Sequence, residues 1–179
     1  MDNIRRVLRE AFELTEEKKD PSFCYMLYVS PEDEKDFIEI QKELKLDGEL
    51  IKSGKFHTTV RYVKAEDYKP FVDYLKTLDL PKLTGTCESF AIYGKDKDTL
   101  VIELEGKELH NWFNKVNKWL VDNDYPKSDF PTYKPHISLT EKIGIEKPEW
   151  KDEYKKKITF KLHIVSNTDH DEVYRSKAK

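Results

Sequence analysis

The 179-residue sequence is short of cysteine, of long apolar runs and of surplus charge, and each shortage excludes something. Its two cysteines, Cys24 and Cys87, sit inside apolar or alternating stretches. They read as buried reduced thiols, with a disulfide or a nucleophile as the remaining alternatives. No Cys or His pair has the spacing of a metal site, so neither a metal nor another cofactor is expected. No run approaches the roughly 18 apolar residues of a membrane span, and the charged N-terminus lacks the apolar centre of a signal peptide. A soluble, cytoplasmic protein without a membrane partner is expected. Lys and Arg number 32 against 35 Asp and Glu, a net charge of −3. Without a global basic footprint duplex DNA is not an expected partner, and any phosphate-binding surface has to be local. Low-complexity linkers are missing too, so residues 1–179 read as a single domain.

What is present argues for a folded chain. Ten Tyr, nine Phe and three Trp are far more aromatics than a disordered segment carries. Residues 3–17 place Ile4, Val7, Leu8, Ala11 and Phe12 at helical spacing. A strand is expected over 22–29, then a helix opened by Ser30-Pro31 that turns Phe37, Ile40 and Leu44 inward. A strand over 55–63 and a helix over 65–78 follow. Strands at 83–93 and 99–104 make a hairpin, and 106–123 is the most regular helix, with Leu109, Trp112, Phe113, Val116, Trp119 and Leu120 in register. A Tyr/Pro-rich loop leads to a strand at 135–140, an alternating strand at 158–165 and a last one near 171–175. The order suggests an internally duplicated α+β domain, with one lobe over about 22–80 and another over about 83–175.

Two strands carry the same device. In the first, His57 and Thr59 share a face while Thr58 and Val60 point away. In the second, His136 and Ser138 repeat the spacing with Ile137 and Leu139 opposite. One such pair is weak, because any His-x-Thr on a strand qualifies; two copies, each following a helix, are specific. The other histidines, His110, His163 and His170, lack a hydroxyl two residues on. Two imidazoles across a groove suit acid–base chemistry near neutral pH, one accepting a proton and one donating it. Two hydroxyls beside them suit the non-bridging oxygens of a phosphodiester, with no metal required. Lys52, Lys55, Arg61 and Lys64 surround the first motif, and Lys127, Lys134 and Lys142 the second; such cations serve either the phosphate or simply a solvated face.

These residues resemble a known group. His57-Thr58-Thr59-Val60 and His136-Ile137-Ser138-Leu139 are similar to the paired motifs of the 2H phosphoesterase superfamily, over about residues 22–165. The resemblance implies a bilobal, pseudo-symmetric α+β fold whose antiparallel sheets face a central cleft, with helices packed outside. It also implies metal-independent phosphodiester chemistry, with His57 and His136 as acid–base pair and Thr59 and Ser138 as ligands of the phosphate oxygens. Serine in the second motif stays within the superfamily's pattern. The run from Lys52 to Tyr62 and the aromatic strand Phe23-Cys24-Tyr25 further resemble viral anti-CBASS nucleases, which degrade the cyclic oligonucleotide messengers of bacterial antiphage defence. That likeness implies a small cyclic oligonucleotide as substrate, action in the host cytoplasm, and attack by a ribose 2′-hydroxyl on the adjoining 3′–5′ linkage. It implies base-stacking for Tyr25 and reading of a base amino group for Glu172, against core packing for Tyr25 and a solvated strand-edge charge for Glu172. Competing readings are processing of short RNA ends, a non-catalytic nucleotide-binding module and, on the exposed charged helices alone, a protein–protein adaptor. The assignment of base and acid between the two histidines is open.

Overall fold

The computed structural model describes residues 20–95, 98–129, 132–142 and 144–179; the helix expected over 3–17 lies outside them. Eight strands and three helices alternate among the described residues, in the order β1 (Phe23–Val29), α1 (Glu34–Glu43), β2 (Glu49–Leu50), β3 (His57–Val63), α2 (Lys69–Lys76), β4 (Leu83–Tyr93) and β5 (Thr99–Glu105). Then come α3 (Lys107–Asp122), β6 (His136–Glu141), a 3-10 turn (Asp152–Tyr154), β7 (Lys157–Asn167) and β8 (Glu172–Lys177). The apolar periodicities produce these elements. Leu109, Trp112, Val116 and Leu120, three or four residues apart, form the buried stripe of α3. Helix α1 starts later than Ser30-Pro31 suggests: the Ser30 hydroxyl accepts the Asp33 N–H at 3.2 Å and donates to Asp33 Oδ2 at 2.9 Å. Those bonds close a turn, and the helix opens only at Glu34.

All strand pairs are antiparallel. Their order is β2-β6-β5-β4-β7-β1-β3, with β8 added to β7. The first residues of β4 (Leu83–Thr86) pair with the first of β7 (Lys157–Phe160) and so join two four-stranded halves. One half, β2-β6-β5-β4, bears the second His motif; the other, β8-β7-β1-β3, bears the first. The expected boundary of the second lobe at about 175 is therefore corrected. β7 returns to the first half and pairs along the whole of β1, because Ile158, Phe160, Ile164 and Val165 bury themselves in the common core. β2 crosses the other way, pairing Glu49–Leu50 with β6. Gly48 makes that crossing possible: its φ is +90°, and a Cβ there would stand 2.5 Å from the Glu141 carbonyl oxygen.

β3 and β6 lie toward opposite ends of the order, yet they touch. The His136 N–H donates to the Thr58 hydroxyl at 3.3 Å, and Thr58 is fully buried. The sheet thus curls until its two motif-bearing strands meet. Helix α3 packs on β4 and reaches β3 from outside. Among the described residues no helix is long and apolar enough to cross a membrane.

Candidate active site

Local alternation decides which side chains the curled sheet offers. Along β3, His57 and Thr59 are half-buried while Thr58 and Val60 are buried; along β6, His136 and Ser138 are half-buried while Ile137 and Leu139 are buried. The two motifs therefore present the same pair of groups from each strand, with the intervening residues committed to the core. Each imidazole is also held in the same way by its own chain. His57 Nδ1 lies 2.8 Å from the Lys55 carbonyl oxygen, and His136 Nδ1 lies 2.9 Å from that of Lys134. A carbonyl can only accept, so Nδ1 carries a hydrogen in both rings and Nε2 is the nitrogen left for proton transfer. Tyr28, the β1 residue paired with His57, stacks on it at 5.1 Å, and Tyr93 meets His136 edge-on at 4.7 Å.

The electrostatics of the two rings differ. Burial pushes the pKa of His57 below its ordinary 6.5; the Lys55 carbonyl opposes this, and the charges of His136 and Lys55 add to it. His136 instead stands opposite Glu103 of β5. The Glu103 carboxylate accepts from the Tyr93 hydroxyl at 2.6 Å and the Ser89 hydroxyl at 3.0 Å. Those hydrogen bonds, the Tyr93 one foremost, outweigh partial burial and hold the carboxyl below the usual range, with lesser electrostatic contributions from Lys134 and His136. Cys24 approaches Thr59 with its sulfur 4.0 Å from the hydroxyl, and burial raises that thiol to about 11, so it remains protonated. Both cysteines are free thiols.

Two groups that sequence reasoning did not single out brace the two motif strands, one each. Glu34, buried in the first turn of α1, accepts the Gly54 N–H at 2.9 Å and the Ser53 hydroxyl at 2.9 Å. Its carboxylate clamps the turn before His57, in which Gly54 has a φ of +78°. On the other side, Gln41 Nε2 donates to the Leu139 and Ile51 carbonyls at 2.7 and 2.9 Å, steadying β6. An acidic residue in a helix's first turn is ordinary in sequence; only the fold aims it at a motif.

A cavity of about 640 Å³ adjoins Thr59 and His136 and extends over the outer part of β3, the β4–β5 turn and the segment before β6. Of the surrounding cations, Lys64 is paired with Asp129 and Lys142 with Asp47, so both belong to the solvated face. Among the described residues no group of three or more His, Cys, Asp or Glu side chains is arranged to hold a metal ion.

Tyr25 is a correction. It is 0% exposed, and its hydroxyl donates to His163 Nδ1 at 2.5 Å while accepting from Trp112 Nε1 at 3.0 Å. Phe71 packs against its ring edge-to-face at 5.5 Å, so no surface is left for a base to stack on. The alternation that turns His57 outward on β3 turns Tyr25 inward on β1. Glu172 is exposed at the start of β8, on the His57 side, where its charge reaches Tyr28. Both its oxygens are engaged by Arg175 at 2.6 Å.

Comparison with known proteins agrees with this architecture. The family model described as "Anti-CBASS protein Acb1" matches residues 24–175. No curated protein matches the sequence. Escherichia coli LigT, solved with 3′-AMP, superposes with a TM-score of 0.63 at 12% identity, covering 89% of this chain and 99% of LigT. TT0787 of Thermus thermophilus gives 0.65 at 10% identity, covering 88% and 97%. Kluyveromyces marxianus Usb1 gives 0.56 at 8% identity, covering 89% and 98%. At such identities the likeness is one of fold, and the fold is that of the 2H phosphoesterases.

Proposed function

This chain belongs to the anti-CBASS Acb1 family, and from that premise we propose that it is a phosphodiesterase that opens cyclic oligonucleotide messengers and so counters bacterial antiphage defence on behalf of a virus. The observation that carries the reading is the meeting of β3 and β6. Each brings an imidazole whose Nδ1–H is held by a backbone carbonyl and whose Nε2 remains for substrate, with a hydroxyl two residues on. In the reaction His57 takes the proton of a ribose 2′-hydroxyl as that oxygen attacks the adjoining phosphorus. The O2′–P bond forms, the P–O5′ bond breaks, and His136 delivers its proton to the departing 5′-oxygen. The hydroxyls of Thr59 and Ser138 donate to the non-bridging oxygens and stabilise the charge gathering there. Roles are assigned by environment. Burial keeps His57 neutral, as a base must begin. His136, opposite Glu103 in the β5–β6 register, takes the remaining role, that of the acid. The scheme calls on no metal.

A second reading, hydrolysis of RNA ends or 2′–5′ linkages within the same fold, draws on the nucleotide complexes of LigT with 3′-AMP and ATP. The mild net negative charge favours a small ligand over an extended strand. Incubating the protein in EDTA with cyclic tri-adenylate, 2′–5′ oligoadenylate and an RNA ending in a 2′,3′-cyclic phosphate separates the two. Ring opening of the cyclic trinucleotide is expected. Turnover of either RNA substrate without it would replace the first reading by the second.

A further inference from the structure

The cavity beside Thr59 and His136 contains a buried cation that the reaction just described does not use. Arg61 is 4% exposed. Its Nη1 donates to the Tyr62 carbonyl at 3.1 Å and its Nη2 to the Pro126 carbonyl at 2.6 Å, while Nε has no acceptor among the described residues. Among the described residues no carboxylate makes an ion pair with it; Asp129, the acid whose charge reaches it, is bonded to Lys64 at 2.7 Å. A guanidinium withdrawn from water and left without a counter-charge is costly unless an anion completes its surroundings.

The backbone sets Arg61 and its neighbour Tyr62 in this cavity. The β1–β3 register shifts between Tyr25 and Met26, so that Val60 is passed over and the alternation beyond it reverses. Arg61 and Val63 turn inward, and Tyr62 turns outward at 45% exposure. Phe113 and Tyr133, which also line the cavity, are stacked on each other at 4.4 Å and 4°. Tyr62 makes no ring pair among the described residues, and Lys95 and Lys134 add positive charge at the wall. A volume of about 640 Å³ lies within the range of roughly 300–1,000 Å³ that holds nucleotide-sized ligands.

We infer that this cavity is a second nucleotide subsite, in which Arg61 faces the phosphodiester next to the one being cleaved and the Tyr62 ring takes a base by stacking. The inference rests on the phosphodiesterase reading and narrows it. The substrate carries at least two phosphates, so a mononucleotide cyclic phosphate fills only the catalytic half of the site.

Titration calorimetry in a His57→Ala background measures binding without turnover, using cyclic tri-adenylate and cyclic tri-uridylate as two-subsite probes and 2′,3′-cyclic AMP as the one-subsite probe. Arg61→Gln and Tyr62→Ala are each expected to weaken the cyclic trinucleotides by roughly 10- to 100-fold and to leave 2′,3′-cyclic AMP within about twofold. Arg61→Gln should also flatten the salt dependence of cyclic trinucleotide binding by roughly 0.7 in log–log slope. If Arg61→Gln fails to fold, Arg61→Lys and the exposed Tyr62→Ala carry the test. Equal losses for all ligands, no loss, or no binding of either cyclic trinucleotide would overturn the subsite. Turnover by the unsubstituted enzyme is read separately. Cleavage without selective effects removes the subsite and keeps the activity; selective effects without cleavage do the reverse.

Discussion

The two imidazoles differ in what surrounds them more than in what holds them. His57 has its Nδ1–H on the Lys55 carbonyl, a Tyr28 ring over its face and enough burial to lower its pKa. A base acts when unprotonated, so the low-pH limb of the kcat/KM profile should begin only below the usual imidazole region near 6.5. The ratio should fall about tenfold per pH unit only below the depressed pKa of His57. A low-pH limb centred well above 6.5 would contradict His57 as the base. His57→Ala and His136→Ala should each lower kcat by roughly 10²–10⁴ while substrate Kd changes by less than about fivefold. Parental turnover in either variant would leave a nucleotide-binding module as the better description.

At the scale of elements, β1, α3 and β7 are tied by one directed chain of hydrogen bonds. Trp112 Nε1 donates to the Tyr25 hydroxyl, that hydroxyl donates to His163 Nδ1, and His163 Nε2 donates to the Pro81 carbonyl. Every donor finds an acceptor in a core that water does not reach. Tyr25→Phe keeps the ring but strands Trp112 Nε1 and His163 Nδ1, and should lower the unfolding free energy by about 2–4 kcal/mol in urea titrations. kcat and KM should stay within about twofold, since Tyr25 lies outside the site. A raised KM at unchanged stability would instead restore the base-stacking role that the aromatic strand suggests.

For the whole molecule the decisive contact is the one that closes the sheet, from the His136 N–H to the Thr58 hydroxyl. Thr58→Val preserves shape and removes the acceptor. It should cost about 1–3 kcal/mol of stability and lower kcat roughly tenfold, with KM nearly unchanged, because it shifts one imidazole against the other. An unaltered kcat would mean that the two halves hold the site together by other means. Global stability should also depend on acidity through His163, which burial lowers to about 4. Between about 6.5 and 4 the unfolded chain binds a proton that the folded one refuses, so stability falls as pH drops through that window and is flat above it. The difference amounts to roughly 3 kcal/mol, readable as a pH-dependent melting temperature that His163→Gln should flatten.

Much of this protein is legible along the chain. Period-2 and period-3.6 alternation locates β4, α3 and both motif strands almost to the residue, because burial of one face is a local demand that sequence must meet. The same rule marks His57, Thr59, His136 and Ser138 as outward partners of inward Thr58, Val60, Ile137 and Leu139. Alternation is silent on which faces end up together. It could not tell that β7 rejoins β1, that Glu34 would clamp the turn before His57, or that a bulge at Val60 would turn Arg61 inward and Tyr62 outward. Nor could it tell a Tyr25 in the core from one in the cleft, since both are aromatics on a buried strand. Those outcomes depend on contacts between residues far apart in the chain, and long-range pairing is settled only when the curled sheet brings its ends together.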